Sequence, residues 1–388
     1  MVKLTYNEAR DAFWEVLGKG FSQSDVAYII EIMVENSRST HKCYEYINQL
    51  PTISSIAENL IIQKGRHHSK RRLNTTQYWA SGAVGKIRKG SQEKGLVYKI
   101  IEIDSTKPDI LEKKVRQVFI ESWIQTILCN DTVGSKYVAK ITGIYRDISL
   151  TGDWVSKQKK CILYISMEFC TYNLNSFLHS FDKPTLEMIK PQLLQLGDAL
   201  KYFYDTYEFR HKDLHEGNIM FSKDKSIKLI DFGRSCIRFV TYEEKLSTFS
   251  ASLVTIEMPP ALLGNSKSAC YSKDLLTFLV SVLEFHKAVI SDSLYAFIKT
   301  LVTTKSGLNL FFYAKRLGEI KNPQKPEYAF WQTYPATLKN WSPEMQKELH
   351  DCETLTPEGF TKALEVVRKG GKTRRYSKRT NRTKRSKN

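Results

Sequence analysis

The segment from His211 to Gly233, HKDLHEGNIMFSKDKSIKLIDFG, restricts the possible folds of this chain more than any other stretch. Ile219-Met220-Phe221 is a brief apolar run, Ser222 to Ser226 is polar turn material, and Ile227 to Ile230 is a second run ended by Asp231. That pattern predicts a hairpin of two short strands. Closing the hairpin brings Asn218, ahead of the first strand, beside Asp231, after the second. Two hard oxygen donors at the open end of a hairpin suit Mg²⁺ (or Mn²⁺), which takes few protein ligands and keeps its other positions for water and phosphate oxygens. Asp213, upstream of Asn218, can then point at whatever attacks the phosphate.

These residues resemble the protein-kinase catalytic loop H-R-D-L-x-x-x-N followed by D-F-G, here His211 to Asn218 and Asp231-Phe232-Gly233. The resemblance implies that Asp213 accepts or orients the proton of the substrate hydroxyl, and that Asn218 and Asp231 hold the metal ions that bridge the phosphates. Two departures bear on control and on substrate. Lys212 stands where the family has arginine and offers a point charge instead of a bidentate fork, which weakens the case for control through an activation-loop phosphate. His215 stands where Ser/Thr kinases commonly place lysine. It can still donate to the transferred phosphate, but D-L-H-x-x-N also resembles haspin-like kinases and kinases of small molecules such as aminoglycosides and choline.

Upstream, Tyr78 to Ile101 reads as three short strands. Ala80 to Ile87 resembles the kinase glycine-rich loop with its first glycine replaced by Ala80, which makes Gly82 and Gly85 the positions where the backbone approaches phosphates. Leu96 to Ile101 is an alternating strand with one inward lysine, Lys99, matching the family lysine that pairs with the α- and β-phosphates of ATP. The helix expected over Ile110 to Leu128 must supply an acid to hold that lysine. Glu121 is the choice, within the packed face of Phe119, Ile120, Ile124 and Leu128; Glu112 is the alternative. Tyr137 to Ile141 resembles the next strand. Cys161 to Met167 reads as a buried strand and resembles the one leading into the kinase hinge, with Met167 behind the pocket and Glu168 to Cys170 against the adenine edge; a core strand is the plain reading, and the two are compatible.

Downstream, Asn173 to Leu178 opens a helix, and Leu186 to Tyr204 forms a long one with Ile189, Leu193, Leu196 and Leu200 on one face. Arg234 to Pro260 corresponds to the activation and substrate-positioning segment and contains Ser247, Thr248, Ser250 and Ser252. The family's A-P-E triplet is missing, with Met258-Pro259-Pro260 in its place. Asp274, opening a helix over Leu275 to Phe285, resembles the family aspartate that braces the catalytic loop. Residues 287–367 read as mainly helical, with an aromatic insertion over 328–341 that packs or meets a partner.

Residues 1–63 read as helical: Ala9, Phe13, Val16 and Leu17 share a face that stops at Gly18 and Gly20, Val26, Ile29, Ile30 and Met33 make a second, and Ile56, Leu60 and Ile61 a third. The expectation is an extension packed on the main domain, with a separate partner-binding module as the other reading. A DNA-reading helix-turn-helix over Ser22 to Ile47 lacks a basic recognition face. Residues 64–72, KGRHHSKRR, read as a solvated basic linker, with contact to an anion as the other reading.

The formal charge of +18 is concentrated at one end: residues 368–388 hold eleven Lys and Arg and no acid, leaving about +7 for the body. That tail has no apolar residue but Tyr376, cannot fold alone, and suits a polyanion such as nucleic acid, or an anionic membrane or an import receptor. Such tails, with divergent motifs, resemble kinases of large DNA viruses. Seven scattered cysteines without C-x-x-C spacing fit a reduced, intracellular protein. No apolar run is long enough to span a bilayer, so a soluble protein is expected.

The expected architecture is α+β, a bilobal protein-kinase-like fold: a helical extension and linker over 1–75, a β-rich N-lobe and hinge over 76–170, a helical C-lobe over 171–367, and a disordered basic tail over 368–388. The expected activity is ATP- and Mg²⁺-dependent transfer to Ser/Thr of protein substrates. A small-molecule kinase and a catalytically inactive kinase-fold scaffold are the alternatives; the joint presence of Lys99, Asp213, Asn218 and Asp231 speaks against the scaffold.

Overall fold

The computed structural model describes residues 3–34, 40–53, 78–82, 85–89, 95–104, 106–147, 160–241, 243–251, 268–312 and 342–376. The third apolar face at Ile56 to Ile61, the basic linker, Ser252, the Met-Pro-Pro triplet and the aromatic insertion lie outside these. The chain divides into two compact units: residues 1–173, 205–213 and 218–255 form the first, and 174–204, 214–217 and 256–388 the second.

The first unit begins with α1 (Tyr6–Leu17) and α2 (Gln23–Met33). Each starts at a reciprocal cap, Thr5 with Glu8 and Ser22 with Asp25, in which the hydroxyl accepts from the third helical N–H and the carboxylate accepts from the cap N–H. α1 stops at Gly18, whose φ of +93° suits a residue without Cβ. A 3₁₀ turn over Cys43–Gln49 follows, where a recognition helix would have to be, so the region is not a helix-turn-helix.

A five-stranded antiparallel sheet follows, in the order β1-β2-β3-β5-β4, from β1 (Tyr78–Gly82), β2 (Gly85–Lys89), β3 (Leu96–Asp104), β4 (Ile141–Arg146) and β5 (Lys160–Glu168). α3 (Pro108–Asn130) joins β3 to β4, and residues from Leu111 to Cys129 are buried on nearly all sides of it. The strand expected at Tyr137 starts later, at Ile141. Val138 makes only an isolated parallel bridge to Leu229, because the Tyr137 carbonyl and the Ala139 N–H are taken by Leu229.

The extension is built into this unit. Phe13 meets Trp123 of α3 edge to face, the Arg116 guanidinium donates to the Val34 carbonyl at 2.7 Å at the end of α2, and the Tyr44 N–H donates to Glu112 at 3.2 Å. Pro51 to Ile53 extends the β4 edge through two backbone bonds to Arg146.

A three-stranded sheet, β6 (Tyr172–Asn173), β7 (Ile219–Phe221) and β8 (Ile227–Leu229), contains the expected hairpin in the register Ile219↔Leu229. Beyond Gly233 the chain forms a further antiparallel pair, β9 (Cys236–Val240) and β10 (Leu246–Ser250). Phe239 and Phe249 from this pair pack on Trp123. The first unit is therefore wider than an N-lobe of residues 76–170: it takes in the extension before it and the hairpins after it.

The second unit carries α4 (Leu174–His179), most of α5 (Leu186–Tyr207), α6 (Ser268–Phe285), α7 (Asp292–Leu301), α8 (Pro343–His350) and α9 (Pro357–Tyr376). α6 starts seven residues before Leu275, so Asp274 lies inside the helix and is buried. α9 runs on to Tyr376 into the basic segment, since Lys and Arg are good helix formers and Gly-Gly weakens without blocking a helix already nucleated upstream. Cys43, Cys129, Cys161, Cys170, Cys236 and Cys352 are buried and free of disulfides. Among the described residues no helix is long and apolar enough to cross a membrane.

Candidate active site

Lys99 is central. It lies on β3, opposite Ile87 of β2 and Ile165 of β5, and its side chain is almost fully buried. A buried ammonium needs carboxylates, and two reach it: Glu121 Oε1 of α3 at 2.5 Å and Asp231 Oδ1 at 2.8 Å. Burial alone would push the Lys99 ammonium down, but the two carboxylates outweigh it and hold its pKa above the ordinary value. Asp231, also opposed by burial, is held below the ordinary carboxylate range by Lys99. Glu121 goes the other way: its burial is so complete that desolvation raises it despite the lysine. The other acid considered, Glu112, is used to dock the extension.

Asp231 sits just past β8 with φ of +62°, a left-handed conformation uncommon for a residue with a Cβ. His211 secures this turn from below. Its Nε2 is 3.0 Å from the Ile230 carbonyl, its ring lies 5.5 Å from that of Phe232, and its own carbonyl accepts from the Ser235 hydroxyl. The hairpin register sets Asn218 next to Ile230, whose N–H donates to the Asn218 carbonyl at 3.2 Å. The Asn218 amide donates to the Asp213 carbonyl at 2.9 Å, so Asn218 ties the Asp213 loop to the Asp231 turn. An amide oxygen and a carboxylate, with a depressed carboxyl pKa, form a hard donor set that fits Mg²⁺.

The Asp213 carboxylate is partly exposed and pairs with Arg234 at 3.3 Å. His215 Nδ1 accepts from the Gly217 N–H at 3.1 Å, so in the neutral ring Nε2 carries the proton. Gly82 pairs with Gly85 across the β1–β2 connection, two positions along β2 from the residue facing Lys99. At the other end of β3, Leu96 faces Glu168. There the Glu168 N–H bonds to Lys140, the Phe169 N–H to Gly95 and the Thr171 N–H to Phe221, while no described residue offers an acceptor to the N–H of Cys170. The residues expected to hold a nucleotide thus lie along one sheet with Lys99 between them. Burial pushes the Cys170 thiol up to about 12, so it is no nucleophile.

Two neighbours of this set escape sequence reading. The Gln117 amide donates to the Gly233 carbonyl at 2.7 Å, and Arg234 is the cation at Asp213. Their only linear signals are position: one lies a helical turn before Glu121, the other directly after D-F-G.

The protein kinase domain family matches residues 73–285, just over half of the chain, and the chain belongs to that family. Among curated proteins it is similar to Serine/threonine-protein kinase kin-29 of Caenorhabditis briggsae, 32% identical over 124 residues, which are 31% of this chain and 15% of that protein. It is similar to Serine/threonine-protein kinase cst-1 of Caenorhabditis elegans, 30% identical over 152 residues, 39% of this chain and 28% of the relative. With the Cyclin-dependent kinase 4 homolog of Caenorhabditis elegans it shares 26% identity over 194 residues, 49% and 45% of the two chains. The matches span less than half the length of these relatives. The fold is the bilobal kinase fold.

Proposed function

We propose that this chain is an ATP- and Mg²⁺-dependent protein kinase that transfers the γ-phosphate to Ser or Thr hydroxyls. The observation that carries the reading is the buried Lys99 held between Glu121 and Asp231 at 2.5 and 2.8 Å. A scaffold has no use for an ammonium desolvated at such cost, whereas phosphoryl transfer needs a cation fixed in advance.

In this reading the backbone at Gly82 and Gly85 covers the phosphates, Lys99 pairs with the α- and β-phosphates, and Glu121 fixes the ammonium. The hinge residues Glu168 to Cys170 meet the adenine edge, with the Cys170 N–H as donor. Asp231 and Asn218 would hold the metal, which supplies charge neutralisation between the β- and γ-phosphates. Asp213 orients the acceptor hydroxyl and takes its proton as oxygen bonds to the γ-phosphorus and ADP departs. His215 donates through Nε2 to the transferred group. The names of the relatives favour Ser/Thr, and the basic residues of 368–388 supply attraction to an acidic partner or nucleic acid.

The presence of His215 in place of lysine favours one further reading, a small-molecule kinase. Transfer of labelled γ-phosphate from ATP with Mg²⁺, offered a basic protein mixture and a panel of hydroxyl-bearing small molecules, separates them. Label on Ser or Thr that disappears in Asp231→Asn supports the proposal. Label on a small molecule alone replaces it, and absence of label despite ATP binding favours the scaffold.

A further inference from the structure

We propose that Gln117 is a positioning residue for phosphoryl transfer, its amide latching the Gly233 carbonyl and so fixing the turn of Asp231 to the helix of Glu121. The proposal rests on the reading of Asp231 as a metal ligand and goes beyond it to how that ligand is held.

Gln117 is buried, and its Nε2 donates to the Gly233 carbonyl at 2.7 Å. It lies four residues before Glu121 on α3, hence on the same face of the helix. The same helix and the same turn are therefore joined twice, one helical turn apart. One tie is ionic, through Lys99 to Asp231; the other is a neutral hydrogen bond to Gly233. The Ile230 side of the turn is held by His211 and Asn218, and the Gln117 bond fixes the Gly233 side. The amide is oriented, because Lys114 Nζ lies 3.5 Å from its oxygen and leaves the NH₂ side to the carbonyl.

The turn also needs fixing. Asp231 is left-handed, a backbone state that persists for a non-glycine residue only where the surroundings impose it. There is little slack: a Cβ built on Gly233 would stand 3.2 Å from Glu121 Oε2, 3.4 Å from Asp231 Oδ1 and 3.6 Å from Gln117 Nε2. Removing the donor leaves a buried carbonyl unpaired, and the simplest relief is rotation of the turn that aims Asp231. The ion pair stays, so the consequence falls on metal affinity more than on nucleotide contact.

The test uses the full chain with Gln117→Met and Gln117→Leu, both of which lose the donor without adding a charge and keep most of the side-chain volume. Thermal unfolding is followed with ADP alone and with ADP over a Mg²⁺ titration, beside transfer kinetics. The expectation is an unchanged shift with ADP alone, about a tenfold higher Mg²⁺ requirement, matching one lost net hydrogen bond, and a similar fall in kcat. A merely structural role would lower the midpoint of the ligand-free protein without moving the Mg²⁺ requirement, and that result overturns the latch. If wild-type protein shows Mg²⁺-dependent stabilisation that Asp231→Asn loses, while both Gln117 variants match wild type, the latch alone fails. If wild type shows no Mg²⁺-dependent stabilisation, the reading of Asp231 falls first. Either variant suffices, so failure of one to fold leaves the other to decide.

Discussion

The ring of Phe13 meets the indole of Trp123 edge to face with centroids 5.2 Å apart. Trp123 in turn meets Phe239 at 5.8 Å and Phe249 at 5.9 Å, so the first helix of the chain, the ion-pair helix and the hairpin beyond Gly233 share one aromatic core. Phe13→Ala should cost about 3–5 kcal/mol of stability, as expected for a buried phenylalanine. Denaturant melts read this directly, and an unchanged midpoint would show that the extension is not part of the cooperative unit.

Lys99→Ala should remove transfer and destabilise the protein by about 3–5 kcal/mol, since it leaves two carboxylates facing each other with one of them fully buried. Glu121 is already raised by burial with the lysine present, and without it the carboxyl takes up a proton more readily. A group raised in the fold favours the folded state below its unfolded value and loses that advantage as pH rises. The deficit relative to wild type should therefore shrink on acidification, which unfolding midpoints over a pH series will show.

Arg234 and Asp213 make a half-exposed pair, which adds little stability, about 0–1 kcal/mol. Arg234→Ala should leave the unfolding midpoint nearly unchanged. It should nonetheless slow transfer roughly tenfold, because the guanidinium orients the carboxylate proposed to meet the acceptor hydroxyl. Equal kcat in the two proteins would remove Arg234 from any role.

Ser247, Thr248 and Ser250 all sit on β10, paired through backbone groups with Phe239, Arg238 and Cys236. The ladder needs none of their hydroxyls, and Lys212 lacks the fork that grips a phosphate. The triple alanine variant should keep transfer within a few-fold of wild type; loss of activity on phosphatase treatment of wild type would contradict this.

Glu216 is buried in the second unit, where Ser281 donates to one carboxylate oxygen and His286 Nε2 lies 3.2 Å from the other. The His286 nitrogen is close to the carboxylate without meeting hydrogen-bond geometry. Burial raises the carboxyl, but these partners outweigh it and hold its pKa below the ordinary range. Its contribution is therefore complete above the ordinary glutamate value and lost as pH falls through the depressed one. Ser281→Ala should cost roughly 1–3 kcal/mol near neutrality and less in acid.

How much of this was legible in the sequence differs by element. The hairpin with Asn218 and Asp231 follows from turn composition, which is local, whereas Lys99 follows from its likeness to the family lysine, because Val97 to Ile101 are buried without a break and the expected alternation is absent. The choice between Glu112 and Glu121 is not local: α3 is buried on nearly every side, so an apolar stripe cannot say which acid faces the sheet, and only the docked extension shows where Glu112 went. The pair β9 and β10 was hidden because its connection has no glycine or asparagine, with Glu244 taking the left-handed position at φ of +56°. Gln117 and Arg234 acquire meaning only from neighbours far along the chain.

The match to the kinase family starts at residue 73, whereas the docked extension starts with the cap at Thr5. A chain cut at the first boundary would keep every residue of the proposed catalytic set yet uncover the flank of Trp123, take both carbonyl acceptors from Arg116 and leave Glu112 without the Tyr44 N–H. The exposed strip would be apolar and adhesive, an invitation to aggregate. The stretch that matches the family and the stretch that packs together as one unit are here two different lengths of the same polypeptide.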